Sequence, residues 1–267
     1  MSRLILCSDD FAFSREVSET IASLANARKI NAVSCMAVMP GWPADSALLA
    51  GVPEHVQIGL HLTLTEEMSL TAMPQLAAGH RLPTINALSR MATRGRVPLE
   101  EVAAEIEAQF AAFMAALGRP PAFVDGHHHA HALPGIRELI LSETVRRAPN
   151  AWIRDCTDRL SAILVRPFAG KAIGSAWHSR GLRRAAATFG LATNDSFAGH
   201  YDFATDYRAL FPLFLRKPGK MHLVMCHPGS GTRAGDSIAN ARSHEAEVLR
   251  HWSIADMAAA RGLAFPA

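Results

Sequence analysis

Residues 121–131 read PAFVDGHHHAH. The apolar run PAFV gives way to Asp125, then to four histidines in five positions, His127, His128, His129 and His131. The cluster lies mid-chain and is no terminal tag. One reading is a polar loop that is merely rich in histidine, and another is a surface tract that collects metal loosely. A third is a strand whose C-terminal end delivers one or two metal ligands to a site.

The same arrangement recurs along the chain. LILCSDD (4–10) ends in Asp9 and Asp10, VQIGLHLTL (56–64) carries His61, AWIRD (151–155) carries Arg154 and Asp155, and MHLVMCHPG (221–229) carries His227. NAVSCMAVM (31–39) is a further apolar run. Helical spacing fills the intervals at 14–29, with Ser14 placed as N-cap, at 99–118, at 133–148 and at 241–262. Short apolar strands alternating with helices predict an α/β fold with a mostly parallel sheet, in a single domain spanning 1–267. Roughly six strands suit either a doubly wound open sheet or a barrel-like (β/α) arrangement. No G-x-G-x-x-G or G-x-x-x-x-G-K-[ST] follows any strand, which removes the main support for a nucleotide-binding open sheet. Residues 66–98, with prolines at 74, 83 and 98, break the pattern and read as an irregular insertion of the kind that forms a lid or the wall of a site. Residues 158–219 are mixed and mostly helical.

Composition narrows the class. Of 267 residues 49% are hydrophobic, enough for a large core. The formal charge of +3 is small, and RGLRR (180–184) reads as the solvated face of a helix. No basic patch interleaved with aromatics points to nucleic acid. Cys7, Cys35, Cys156 and Cys226 are scattered, form no C-x-x-C pair and read as buried free thiols of a reducing compartment. The N-terminus reaches two aspartates after four apolar residues, too short for a signal-peptide core or a membrane span, so the expectation is a cytoplasmic protein without an integral membrane segment.

In parallel α/β folds the C-terminal strand ends gather at one face, where active sites are built. Each residue has a plainer reading: Asp9 or Asp10 as a helix cap, His61 as a satisfied core histidine, Arg154 as a surface ion-pair partner, His227 as a turn residue before Pro228-Gly229. Five such strands together point to one shared site. Adjacent Asp9 and Asp10 should point opposite ways in an extended chain, one at the site and one away from it. His127, His129 and His131 share a face if the segment is extended, His127 and His131 if it is helical. One carboxylate and two histidines suit a borderline divalent metal, and an open coordination position would carry a nucleophilic water. That describes a metal-assisted hydrolase.

LILCSDDFAFS, VQIGLHLTLTE, FVDGHHHAHALPGIREL and LVMCHPG, in this order between residues 4 and 229, resemble the motif blocks of the YdjC-like carbohydrate deacetylases. Where that family typically shows ADDFG and DSHQHVH, this chain has SDDFA and DGHHHAH, so Ala12 replaces a glycine and His128 a glutamine. The resemblance implies a barrel-like (β/α) fold of polysaccharide-deacetylase type and removal of an acetyl group from the nitrogen of an amino sugar. It implies Asp10, His61 and His127 as metal ligands, Asp9 as general base, His227 as general acid and Arg154 as the residue that orients the base. One divalent ion is expected, zinc or magnesium, with manganese, cobalt or nickel as alternatives. The expected partner is an N-acetylated sugar, with a homodimer possible. Two other readings stay open: a metal-dependent phosphoesterase, which would need more ligands, and a non-catalytic metal- or sugar-binding protein.

Overall fold

The computed structural model describes residues 2–231 and 233–266. Eight strands form one sheet: β1 (Ser2–Phe11), β2 (Ala32–Cys35), β3 (Gln57–Leu62), β4 (Phe123–Gly126), β5 (Trp152–Ile153), β6 (Ser196–Ala198), β7 (Met221–Cys226) and β8 (Leu263–Ala264). Their order is β5-β4-β3-β2-β1-β7-β6, with β8 paired to the start of β1. Every strand pairing is parallel. Helices occupy the crossovers, the longest being Leu99–Leu117, which ends at Gly118 in the left-handed region. Ser14 caps the first helix, its side chain accepting from the Val17 N–H.

The sheet is curled. Ile153 of β5 forms a parallel bridge with Thr193, just ahead of β6, so the two edges meet. This is the barrel-like (β/α) arrangement expected from the sequence, in one domain. Successive strand residues face opposite ways, and the buried side chains divide accordingly. Leu4, Leu6, Val33, Ile58, Leu60, Val124, Ile153 and Val224 join the large core between sheet and helices. Ile5, Cys7, Ala32, Phe123, Trp152, Phe197, Leu223 and Met225 form a smaller cluster inside the curl. Both faces are therefore apolar, which is why the strands read as continuous hydrophobic runs. The four cysteines are buried and free.

The inner cluster is tightly filled. Phe123 stacks on Trp152 with ring centroids 4.6 Å apart, and a Cβ on Gly59 would lie 2.4 Å from the Phe123 ring. Glycine is needed there for space. The Gly59→Ala variant is expected to lose about 1–3 kcal/mol, because the stacked ring has nowhere to go. Thermal unfolding followed by circular dichroism checks this; an unchanged midpoint would show that the interior can yield.

Several elements differ from the sequence expectation. The pattern at 241–262 is not one helix but two, Ala239–His251 and Ile254–Ala259, divided where Trp252 turns extended and Ser253 caps the second. The insertion 66–98 contains a helix, Ile85–Thr93, capped by Thr84. Within 180–184, Gly181 has a left-handed φ and the next helix begins only at Leu182. Arg183 there pairs with the buried Asp155 (2.8 Å), so the run is not wholly a solvated face. Among the described residues no helix is long and apolar enough to cross a membrane.

Candidate metal centre and its surroundings

The inward-facing alternation continues past the apolar layer to the C-terminal strand ends. Asp9 follows Ile5 and Cys7, Ser34 follows Ala32, His61 follows Gly59, Asp125 follows Phe123, Arg154 follows Trp152, and His227 follows Leu223 and Met225. One polar layer thus caps the inner core.

Asp9 and Asp10 both belong to it, contrary to the expectation that adjacent strand residues diverge. Ser8 pairs with Val33 and Phe11 with Cys35, so β1 holds one more residue than β2 across this interval. That is a bulge. Asp10 sits in it at φ 65°, a left-handed conformation aspartate adopts more readily than most residues. The turn closes with the Phe13 N–H donating to the Asp10 carbonyl. Ala12, where the motif typically has glycine, is also left-handed at φ 76°.

Asp10 Oδ1 lies 3.4 Å from His61 Nε2 and 3.1 Å from His127 Nδ1. The three groups can present one ligand atom each within 4.8 Å of one another. The donor set passes a chemical test of fit for a divalent ion. His61 Nδ1 is 2.6 Å from Asp125 Oδ1, and a carboxylate there takes the Nδ1 proton. With Nδ1 engaged in this way, Nε2 is the nitrogen left to face the Asp10 oxygen, so a carboxylate oxygen and two ring nitrogens converge as a donor set of the kind a borderline divalent ion takes. Burial disfavours a charged His61, yet Asp125 and Asp10 outweigh it and hold its pKa up at about 10, so a proton occupies Nε2 at neutral pH and an ion that binds there displaces it. Burial likewise works against a charged Asp10, but Arg242 and His127 hold its carboxyl well below the usual range.

Arg154, fully buried, binds Asp9 with both fork nitrogens, Nη1 to Oδ2 and Nη2 to Oδ1, each 2.6 Å. Its Nη2 also lies 2.5 Å from Asp125 Oδ2. Against burial, Arg154 and His61 keep the Asp125 carboxyl below the usual range. Cys7, Asp9 and Asp125 form a second group with metal-like spacing. The Arg154 guanidinium stands among them, with Cys7 Sγ 3.1 Å from Nη2, so this position already has its cation.

His227 Nε2 is 4.0 Å from Asp9 Oδ2. Burial lowers its pKa to about 4, so it rests neutral. Its backbone N–H donates to Glu245 Oε2 (2.5 Å), and Glu245 also accepts from the Tyr201 hydroxyl.

The histidine run follows neither face pattern expected of it. His128 and His129 take left-handed φ of 52° and 58°, so the segment is neither extended nor helical. His127 reaches Asp10, whereas His131 turns away and lies 2.8 Å from the Arg154 carbonyl oxygen. His128 Nδ1 lies 3.0 Å from Thr65 Oγ1 and is kept neutral, its pKa lowered to about 3 mainly by burial.

Above the layer opens a cavity of about 560 Å³, within the ~300–1,000 Å³ of small-ligand pockets. Asp9, Asp10, His127 and His227 line its floor. Glu67 of the insertion and Phe203 of the mixed region line its walls. The insertion is fastened across it, Glu67 taking both fork nitrogens of Arg233 at 2.8 and 2.7 Å.

All six residues singled out from the sequence, Asp9, Asp10, His61, His127, Arg154 and His227, meet in this layer. Sequence reasoning missed Ser34, which donates to Asp125 Oδ1 (2.5 Å), and Arg242, which donates to Asp10 Oδ2 (2.7 Å). It also missed Glu245, and it noted Asp125 without its link to His61. The inward register of Ser34, two residues after Ala32 on the same strand, was the one signal available. Arg242 and Glu245 sit in a helix whose sequence reads as largely polar.

Comparison with known proteins gives concordant results. The family model described as YdjC-like protein matches residues 3–260. A chitooligosaccharide deacetylase of Enterobacter sp. (strain 638) is 31% identical over 144 residues, 54% of this chain and 56% of the relative. One from Serratia marcescens is 34% identical over 137 residues, 51% of this chain and 53% of the relative. The carbohydrate deacetylase of Mus musculus is 32% identical over 209 residues, 72% of this chain and 66% of the relative. The aligned part thus spans about half the length of the two bacterial relatives. A solved structure from Enterococcus faecalis V583, provisionally described as a cellobiose-phosphate cleavage protein, superposes with a TM-score of 0.73. It is 19% identical, with 99% of this chain and 97% of that one covered, and it shares the fold.

Proposed function

The chain belongs to the YdjC-like protein family, and from that premise we propose that it is a metal-dependent carbohydrate deacetylase, hydrolysing the N-acetyl group of an amino sugar. One observation carries the reading: a mixed carboxylate–imidazole donor set beside an arginine-held carboxylate that lies 4.0 Å from a neutral histidine. Asp10, His61 and His127 would hold the ion. Two imidazoles favour zinc or a similar transition ion over magnesium, which prefers oxygen. When bound, such an ion polarises the acetamide carbonyl and acidifies a water.

The chain's own groups divide the remaining work. Arg154 fixes Asp9 by both oxygens and leaves it lone pairs to accept the proton of the attacking water. Asp125 fixes the His61 ring and tautomer. His227 rests neutral, so the proton it gives to the departing nitrogen arrives during turnover, by way of Asp9. Acetate and a free amine leave. The position beside Arg154 supports a single-ion site, against a phosphoesterase that assembles two or three.

The test is acetate release from N-acetylated sugars, headed by diacetylchitobiose. Protein is stripped with a chelator and resupplied with zinc, magnesium, manganese, cobalt or nickel. Metal-dependent release is expected. Phosphate release from phosphoesters without acetate release would overturn the reading. The histidine run supplies a second test. His127→Ala is expected to lower bound metal to well below one ion per chain and to abolish turnover. His128→Ala is expected to keep its metal and most of its activity. Equal, partial metal loss from both variants would instead mark a loose histidine tract.

A further inference from the structure

Asp10 is a divided carboxylate. Oδ1 faces His61 Nε2 and His127 Nδ1 at 3.4 and 3.1 Å, while Oδ2 accepts from Arg242 Nη2 at 2.7 Å. Both side chains are buried, at 2% and 4% exposure. Arg242 is itself braced. Its Nε donates to Asp236 Oδ2 (3.0 Å), and its Cζ lies 4.8 Å over the Phe13 ring. The guanidinium therefore cannot swing aside without breaking a second buried ion pair and leaving a ring face. Its helix, Ala239–His251, also carries Glu245, which holds the His227 backbone. One helical turn thus grips the site from both sides.

We propose that Arg242 is a positioning residue that restricts Asp10 to binding the metal through one oxygen, keeping free the coordination place its second oxygen would take. The inference rests on the reading of Asp10, His61 and His127 as the holders of the ion. Carboxylates with both oxygens free readily bind a cation through the pair. A fixed cation on Oδ2 removes that option and competes with the ion for the carboxylate's charge. The site gives up affinity and gains an open place for water and the acetamide oxygen. A purely architectural arginine makes a different prediction: its loss would lower stability and metal content together and leave the coordination of any remaining ion unchanged.

Cobalt(II) separates the two, because its visible absorption weakens as coordination number rises. The protein, its Arg242→Met variant and its Asp236→Asn variant are each titrated with cobalt(II), and turnover is measured on the cobalt-loaded forms. The parent is expected to bind one ion per chain. Arg242→Met is expected to bind one ion about tenfold more tightly, with weaker visible absorption and a kcat lower by about 10–100-fold, the usual effect of disturbing a partner of a metal ligand. Asp236→Asn, which removes only the brace, is expected to move the spectrum and Kd in the same direction by less, and it carries the test if Arg242→Met does not fold. Parental spectra and Kd in both variants overturn the inference, as does weakened binding with a parental spectrum. A parent that takes up no cobalt overturns the metal reading itself, a result distinct from either.

Discussion

Replacing Asp9 with asparagine is expected to lower kcat by about 10²–10⁴-fold, the contribution of a positioned general base, while bound metal stays at one ion per chain. The asymmetry follows from the geometry. Asp9 faces Arg154 and His227, whereas the three candidate ligands are Asp10, His61 and His127. Asparagine fills the same space and keeps one oxygen for Arg154, but it cannot take up a proton at neutral pH. Steady-state kinetics with metal analysis of the same sample make the check. Full activity in Asp9→Asn would dismiss Asp9 as base, and loss of metal would move it into the ligand set.

The largest effect on stability is expected from Arg154→Met. Methionine matches the stem but leaves Asp9 and Asp125 buried without their cation. Breaking a buried pair by removing one partner costs about 3–5 kcal/mol, a large part of a typical total of about 5–15 kcal/mol. For a chain of this size the melting temperature should fall by about 10 °C. The loss should also depend on pH. In the parent, Asp125 has a depressed pKa, so its contribution is complete above the unfolded value near 3.9 and is lost only as pH falls through and below it. In the variant, Asp125 loses Arg154, the strongest influence that lowers its pKa, and burial lifts that pKa above the unfolded value. The folded variant then binds more protons than the unfolded chain and gains stability as pH falls. Between pH 7 and pH 5 the gap between variant and parent should narrow. Thermal unfolding at the two pH values tests this. A gap that is constant, or smaller than about 3 °C at pH 7, would mean that solvent already screens the cluster.

Much of this arrangement can be read from the sequence because one rule generates it. A strand buried on both faces must be apolar until it leaves the core, and the first polar residues after that point fall on the C-terminal rim. Asp9, Asp10, His61, His127, Arg154 and His227 all obey it. What the sequence conceals arises from contacts between distant segments or from departures from regular geometry. The extra residue in β1 that swings Asp10 inward has no local signature. Arg242 lies 232 positions from Asp10, in the stretch ARSHEAEVLRH, whose charges suggest a solvated surface. Its burial is possible only because Asp10 and Asp236 neutralise it. The helix Ile85–Thr93 was hidden by the surrounding prolines and by its shortness. The break at Trp252 was hidden by apolar residues that continue the helical period across it.

The place of β1 in the sheet has a consequence for how the chain is made. It is the first of these eight strands to leave the ribosome, yet it lies in the interior of the sheet, between β2 and β7. Its partners on the β7 side, Met221–Cys226 opposite Arg3–Ser8, are synthesised more than two hundred residues later. At about 5–20 residues per second, one edge of an apolar strand waits ten seconds or more for its mate. During that interval β1 is an open template for pairing with other nascent chains. Yield on overexpression is therefore expected to respond to added chaperone, which can cover that edge while synthesis runs, more than to changes that stabilise the finished fold.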